Sequence, residues 1–375
     1  MFRSWYATCP RGAEASLETE LKALGAKGVR PGQGGVRFTG GREIALRACL
    51  DLRTAIRVLE PVGEFAATTG DELYEGAMKL PWADLIARGQ TLAVAASGRA
   101  EGLTNTHFVE QRLKDAAVDV LREKTGERPS VNPSHPDVLI VAHLYDGQVS
   151  VSLDLAGDLL SNRGYRVRTV EAPLREALAA AVVLLSGWDG SVPLLDPVCG
   201  SGTLAIEAAL IAMRRAPNLH RVLACEKWPR TKNDDAPVLA NLRAELNARE
   251  IPLPAPIHAS DRDHEAVDAA RSNARAAKVP LLLSVTDARE AEPLNPPGHL
   301  LLNVPYGERL DAGGRKQLKT FYHQLGASLR RFERHRATVL SGSEDFESAF
   351  GIRPRGPKPV LWNGPLRCTL YNYEL

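Results

Sequence analysis

Two stretches about a hundred residues apart carry side chains suited to chemistry. The first is Asp196-Pro197-Val198-Cys199-Gly200-Ser201-Gly202-Thr203. The apolar run Val192 to Leu195 reads as a buried strand leading into it, and Thr203 opens a helix. Gly200 and Gly202 let the main chain turn sharply and lie close to a ligand. A carboxylate at a strand tip can hold a cation, and main-chain amides at a helix N-terminus suit an anion. The second stretch is Asn303-Val304-Pro305-Tyr306, which follows the apolar strand His299 to Leu302. The Asn303 side-chain oxygen and the Val304 carbonyl are two acceptors in fixed relation. Together they can hold the N–H groups of an amine so that its lone pair points at an electrophile. Most of the gain in such a site is positioning plus preorganised dipoles. Pro305 stiffens the loop, and Tyr306 offers a ring face to a planar group.

Three ligands compete for the glycine turn. A P-loop needs Gly-Lys-Ser/Thr, and no lysine follows here. A dinucleotide site wants a third glycine and an acidic residue about 20 residues on. S-adenosylmethionine presents an ammonium, a carboxylate, two ribose hydroxyls and an adenine amino group. Asp196 can take the ammonium, and the amides of Gly200, Ser201, Gly202 and Thr203 the carboxylate. Asp261, after the strand ending Ala259-Ser260, can accept both ribose hydroxyls. Asp287, after the strand ending Ser284-Val285, can reach the adenine amine. Three acids past three successive strands favour this reading over ordinary helix caps, the role expected of Asp263. Cys199 is expected to pack within the loop.

The elements that must position these residues alternate. From residue 192 the pattern is strand 192–196, helix 203–215, strand 256–260, helix 264–277, strands 281–285 and 299–303, helix 316–332, strand 337–341. Such alternation implies a parallel sheet covered by helices. Pro359 to Trp362 and Leu366 to Tyr373 flank Asn363-Gly364, an antiparallel hairpin signal. Ahead of this region, residues 1–155 read as α+β. Strands are expected at Trp5 to Cys9, Gly35 to Phe38, Ile56 to Phe65 and Thr91 to Ala96. Helices are expected at Glu14 to Leu24, Arg42 to Leu50, Asp71 to Met78 and Phe108 to Lys124. Val138 to Tyr145 and Gln148 to Leu155 form a hairpin through Asp146-Gly147. Ala156 to Val170 is a polar hinge, and Pro173 suits the first turn of a helix over Leu174 to Leu185.

Composition sets bounds. A chain of 375 residues that is 44% apolar can build two or three cored domains. No run of about 18 apolar residues suggests a membrane span, and the N-terminus lacks a signal-peptide core. Five scattered cysteines with no CxxC pair, and nine histidines without ligand spacing, give no disulfide framework and no metal site. A reducing cytoplasm is the expected setting. Net charge is +2, and residues 1–169 hold 21 basic and 21 acidic residues, so any polyanion site must be a local patch. The clusters are Arg163/Arg166/Arg168, Arg330 to Arg336, and Arg353 to Lys358. In the first, Tyr165 interleaves a stacking group with the charge.

Asn303 to Tyr306 resembles the (Asp/Asn)-Pro-Pro-(Tyr/Phe) motif of enzymes that methylate exocyclic amines, with Val304 replacing the first proline. With it, the chain resembles THUMP-domain class I RNA methyltransferases making N2-methylguanosine, most like the bacterial 23S rRNA branch in its single-methyltransferase form. Gly70 to Tyr74, Ser152 to Gly157, Arg163 to Arg166, Ala172 to Glu176, Asp196 to Thr203 and Asn303 to Arg309 carry the resemblance. It implies an α/β fold: a Rossmann-like class I methyltransferase domain with an antiparallel edge hairpin, preceded by an α+β ferredoxin-like plus THUMP region. The expected divisions are 1–60 ferredoxin-like, 61–156 THUMP, 157–172 linker and 173–375 methyltransferase, with no second methyltransferase after Leu375. It implies S-adenosylmethionine as cofactor and structured RNA as partner, rRNA ahead of tRNA, with Arg99, Lys114, Arg163, Tyr165, Arg166 and Arg168 as RNA contacts. A tRNA enzyme of the same architecture, a catalytically weak RNA chaperone and a DNA adenine-N6 methyltransferase remain as alternatives.

Overall fold

The computed structural model describes residues 3–169, 174–306 and 312–375. The chain groups into two units. The first comprises the residues up to Thr8, Glu20–Leu160 and His220–Glu245; the second comprises Cys9–Thr19, Ser161–Leu219 and Leu246–Leu375. Chain order is therefore not unit order.

The elements up to residue 154 are β1 (Arg3–Thr8), α1 (Glu14–Ala23), β2 (Lys27–Gly32), β3 (Gly35–Gly40), α2 (Arg42–Asp51), β4 (Arg57–Ala66), α3 (Gly70–Met78), α4 (Trp82–Leu85), β5 (Leu92–Arg99), α5 (Thr106–Thr125), β6 (Val138–Tyr145) and β7 (Gln148–Asp154). The strands form one sheet in the order β2-β3-β1-β4-β7-β6-β5. Only the β5/β6 pair is parallel among the described residues, and α5 makes that crossover. Helix α5 buries Val109, Leu113, Ala117 and Leu121 along one stripe. The Asn105 side chain accepts from the Phe108 amide at its start, and Gly126 ends it at φ 73°. Between β6 and β7, Asp146 and Gly147 both take positive φ (48° and 71°), as a two-residue hairpin turn demands.

Residues 220–245 also belong to this first unit. Trp228 is fully buried, and its indole N–H donates to the Asp137 carbonyl at 2.8 Å. Arg230 donates to Glu60 at 2.8 Å, and Arg42 to the buried Asp235 at 2.7 Å. These charge-assisted bonds join segments far apart in sequence.

The remaining elements are α6 (Glu176–Ser186), β8 (Leu194–Asp196), α7 (Thr203–Ala212), α8 (Lys232–Ala248, most of it in the first unit), β9 (Ile257–Asp261), α9 (His264–Ala277), β10 (Leu281–Val285), β11 (His299–Asn303), α10 (Ala312–Leu329), β12 (Arg336–Ser341), α11 (Phe346–Phe350), β13 (Val360–Asn363) and β14 (Leu366–Glu374). The sheet order is β10-β9-β8-β11-β12-β14-β13. Its first five strands are parallel, and β14 runs antiparallel to both β12 and β13. Strand β11 is a continuous run of buried leucines, as expected of a strand covered on both faces. Leu302, Tyr322, Leu325, Phe332, Val339 and Phe346 pack together around it. Strand β8 is shorter than expected: Val192 is 39% exposed, and pairing starts at Leu194. Pro173 lies outside the described residues, and α6 starts at Glu176.

The segment Cys9–Thr19 is part of this second unit. The Trp362 amide donates to the Arg11 carbonyl at 3.0 Å, and the Arg11 guanidinium lies 4.2 Å from the Trp362 ring centre. Gly12 has φ 92°, and a Cβ there would meet the Val360 carbonyl oxygen at 2.1 Å.

Candidate active site

Strand β8 lies between β9 and β11, so the crevice beyond its C-terminal end is a topological switch point, where ligands bind in open α/β sheets. Asp196 ends β8 and is 1% exposed. Burial pushes its carboxyl up to about 8, opposed by the Val198 amide and reinforced by the charge of Asp261. The loop after it is pinned at three places. The Cys199 amide donates to the Ser260 carbonyl at 2.9 Å, the Gly200 amide to Asp261 Oδ2 at 2.9 Å, and the Gly202 amide to the Cys199 carbonyl at 2.8 Å. Gly200 has φ 51° and Gly202 φ 82°; a Cβ on Gly202 would stand 3.0 Å from the Ala270 methyl. Thr203, mostly buried, opens α7. The Cys199 thiol is buried and raised well above its ordinary value by desolvation, the mark of a packing cysteine.

Asp261 ends β9 and accepts from the Gly200 and Asp263 amides. A carboxylate has about four acceptor sites, so capacity remains for two hydroxyls. Asp287 accepts from the Arg289 amide at 2.9 Å and from two of its guanidinium nitrogens at 2.8 and 2.6 Å. That pairing holds its carboxyl down at about 2. Asp263 caps α9, accepting from the Glu265 amide at 2.9 Å.

The second loop leaves β11, the neighbour of β8. Leu195 stands opposite Leu300 in register. Asn303 therefore lies two residues, roughly 7 Å of strand rise, beyond the level of Asp196. Its Oδ1 is buried and finds no hydrogen-bond donor among the described residues. An acceptor left so costs about 1–3 kcal/mol, and such exceptions in native folds call for an explanation. Val304 is fully buried, and its amide donates to the Leu340 carbonyl at 3.3 Å, one step beyond the β11/β12 ladder. Proline at this position could not make that bond. The loss of proline's fixed φ is thus offset by a hydrogen bond and a buried side chain. Tyr322 of α10 donates its hydroxyl to the Pro305 carbonyl at 2.6 Å. The Tyr306 ring lies against Gly342, where a Cβ would come within 2.7 Å of Cδ2. Its hydroxyl accepts from Asn363 Nδ2 at 3.1 Å, and burial raises its pKa. Gly307 to Arg309 lie outside the described residues.

The residues expected to touch RNA separate into two groups. Arg99 is exposed at the end of β5, opposite exposed Tyr145 in register, and Arg168 is exposed. Lys114 is half-engaged, bonded to Gln111 at 2.7 Å and to Asp115 at 2.9 Å. Arg163, Tyr165 and Arg166, by contrast, are turned inward. The Arg163 side chain is 1% exposed and lies 3.7 Å from Glu207, itself fully buried on α7. The Tyr165 hydroxyl donates to the same carboxylate at 2.9 Å. Arg166 is spent on Glu176 at 2.9 Å, the Leu174 carbonyl at 2.8 Å and Ser201 Oγ at 3.2 Å. The reason is two buried carboxylates, Glu207 for Arg163 and Tyr165 and Glu176 for Arg166: a buried carboxylate requires cationic and hydroxyl partners, and this segment supplies them. In the second cluster, Arg330 and Arg331 serve main-chain carbonyls of Gly351 and Ala291.

Sequence reading missed Asn273, Tyr322 and Gly342. Asn273 carried a signal: it interrupts the apolar face of α9 formed by Ala266, Val267, Ala270 and Ala274.

Comparison with known proteins follows this anatomy. The profile of an RMKL-like methyltransferase domain matches residues 163–372, that of an RlmL ferredoxin-like domain residues 4–59, and that of a THUMP domain residues 67–154. A protein of Syntrophotalea carbinolica named ribosomal RNA large subunit methyltransferase K/L is 39% identical over 99% of this chain and 53% of its own. The chain spans about half the length of such curated relatives. A Synechocystis protein named a candidate RNA methyltransferase is 36% identical over 100% of this chain and 97% of its own. A crystal structure of a candidate methyltransferase complexed with S-adenosylhomocysteine aligns with TM-score 0.87 and 33% identity, over 100% of this chain and 98% of that one. The chain belongs to the RMKL-like methyltransferases that carry ferredoxin-like and THUMP domains ahead of the methyltransferase domain.

Proposed function

We propose that this chain methylates the exocyclic N2 of a guanosine in structured RNA, with 23S rRNA ahead of tRNA as substrate and S-adenosylmethionine as methyl donor. The observation that carries the reading is the buried Oδ1 of Asn303 at the end of β11, an acceptor that finds no donor among the described residues. The names of the ribosomal RNA relatives and the match to a THUMP domain support RNA, and a ribosomal one, as substrate.

The residues beside β8 fit the donor. Asp196 is a buried carboxyl whose ionisation calls for a cation, which an ammonium would supply. Gly202 takes φ 82°, and a Cβ there would stand 3.0 Å from the Ala270 methyl, so a larger residue would strain the turn. Asp196 would hold the ammonium, the turn from Cys199 through Gly200, Ser201 and Gly202 to Thr203 the carboxylate, Asp261 the ribose and Asp287 the adenine. Bound there, the donor supplies an electrophilic sulfonium methyl.

The chain's own residues do the rest. A guanine amine is a weak nucleophile because its lone pair is delocalised into the ring. Asn303 Oδ1 and the Val304 carbonyl accept its two N–H groups and favour a pyramidal nitrogen whose lone pair is free to attack. Pro305 keeps the turn rigid, and Tyr306 supplies a face on which an unstacked base can lie. The base must be unpaired or flipped to reach it. The alkylated nitrogen is acidic and releases its proton to water without a side-chain base.

The test offers the protein radiolabelled S-adenosylmethionine with undermethylated 23S rRNA, tRNA and DNA, and identifies the product nucleoside by mass spectrometry. N2-methylguanosine in rRNA is expected. Label only in tRNA would move the substrate, N6-methyladenosine in DNA would replace the reaction, and donor binding without transfer would leave a binding protein.

A further inference from the structure

The Arg163-Gly164-Tyr165-Arg166-Val167-Arg168 motif has no part in the chemistry above, yet two tethers run from it to the glycine turn. Arg166 reaches Ser201 Oγ at 3.2 Å. The stronger tether is Asn273 of α9, which is 1% exposed. Its Oδ1 accepts from the Val167 amide at 2.9 Å and the Arg168 amide at 3.0 Å. Its Nδ2 donates to the Arg168 carbonyl at 2.8 Å and the Ser201 carbonyl at 2.9 Å. The carboxamide is fully used, with two bonds on each end.

The position of Ser201 gives this tether its meaning. It stands between two glycines in the left-handed region, Gly200 and Gly202, so its flanking peptides can reorient at low cost. The Ser201–Gly202 peptide is held at both ends: its carbonyl by Asn273 Nδ2, its amide by the Cys199 carbonyl. Remove the first hold, and the plane that presents the turn to a ligand is free to rotate.

We propose that Asn273 is a positioning residue for the donor site: it braces the glycine turn against the main chain of the Arg163–Arg168 strap, so that the strap shapes the cofactor pocket. The inference rests on the assignment of the glycine turn to S-adenosylmethionine. Because Asn273 touches the turn and not the Asn303 loop, its loss acts on cofactor affinity and spares the chemical step.

The experiment measures S-adenosylhomocysteine binding by calorimetry, and KM and kcat for S-adenosylmethionine, in wild type and Asn273→Asp. The aspartate keeps an acceptor for the Val167 and Arg168 amides but presents oxygen instead of N–H to the Ser201 carbonyl. Expected are a rise of about tenfold or more in Kd and KM and a kcat at saturating donor within about twofold of wild type, the effect of losing two hydrogen bonds at one site. Asn273→Ser, which cannot span the gap, should weaken binding likewise; its readout is the shift in thermal midpoint on adding S-adenosylhomocysteine, which also serves if Asn273→Asp folds poorly. Unchanged Kd in either folded variant, or a kcat loss at unchanged Kd, overturns the positioning role. Wild type that binds no S-adenosylhomocysteine overturns the cofactor assignment itself, and the inference with it.

Discussion

The Tyr322 hydroxyl donates to the Pro305 carbonyl oxygen at 2.6 Å, fastening the turn after β11 to helix α10. With the Val304 amide on Leu340 and the Val304 side chain in the core, it holds the turn from three directions. Tyr322→Phe removes one oxygen and leaves the ring packing. It should lower kcat about 3–10-fold, the worth of one such bond, with cofactor Kd unchanged. Steady-state kinetics alongside S-adenosylhomocysteine titration would decide; an unaltered kcat would show that the turn holds without the clamp.

Asn303→Ala deletes the acceptor that finds no donor among the described residues. Because that acceptor is preorganised, kcat should fall about 10²–10³-fold. Stability should hold or rise slightly, since the change removes a buried polar atom that has no partner among the described residues. A variant both less stable and fully active would contradict the assignment. Thermal melting and single-turnover methylation are the measurements.

Asp196 gives the site a pH dependence. Its carboxyl is pushed from the ordinary 3.8 up to about 8, so the free folded protein holds it protonated where the unfolded chain has lost the proton. The folded state therefore loses stability from this group as pH rises between those two values. Only the ionised form attracts an ammonium, so binding at pH 6 must expel a proton. The Kd for S-adenosylhomocysteine should improve by up to about tenfold per pH unit between pH 6 and pH 7. The gain should flatten near pH 8, where the carboxyl is already ionised before the ligand arrives. Asp196→Asn should bind weakly with little pH dependence. Calorimetry in buffers of different ionisation enthalpy reads the released proton, and its absence would count against the carboxyl as ammonium partner.

Gly342→Ala places a methyl within 2.7 Å of the Tyr306 ring. Overpacking of this kind costs about 1–3 kcal/mol, and the displaced ring should raise KM for RNA while cofactor Kd stays constant. In a Tyr306→Ala background the same change should cost almost nothing, because the clash partner is gone. A double-mutant cycle showing simple additivity would mean that the two residues do not meet in solution.

The parts of this molecule that were legible in its sequence are those fixed by local patterns. Helix α9 and strands β10 and β11 match their expected spans, because Asp263 caps the first and apolar runs bounded by turn residues mark the others. The glycine turn and the Asn303 loop were legible for the same reason, as contiguous residues at strand ends. Strand β2 was not: it is mostly exposed, without an alternating apolar face. Nor was the membership of residues 220–245 in the first unit, which depends on Trp228, Arg230 and Asp235 meeting Asp137, Glu60 and Arg42. Arg163 and Arg166 misled because a surface patch and an inward strap have the same local composition. What separates them is their buried partners, Glu207 for Arg163 and Glu176 for Arg166, whose burial only the fold reveals.

The order in which the ribosome makes this chain bears on the Arg11–Trp362 contact. Arg11 emerges about 350 residues before the ring it packs on. At roughly 5–20 residues per second, that is a wait of about 20–70 s. Through that interval the segment around Gly12 has no hairpin to lie on, while β1, β3 and β4 on either side of it in sequence can already pair. Nascent chains arrested before residue 360 should therefore leave Arg11 open to protease, and chains arrested with β14 clear of the exit tunnel should protect it.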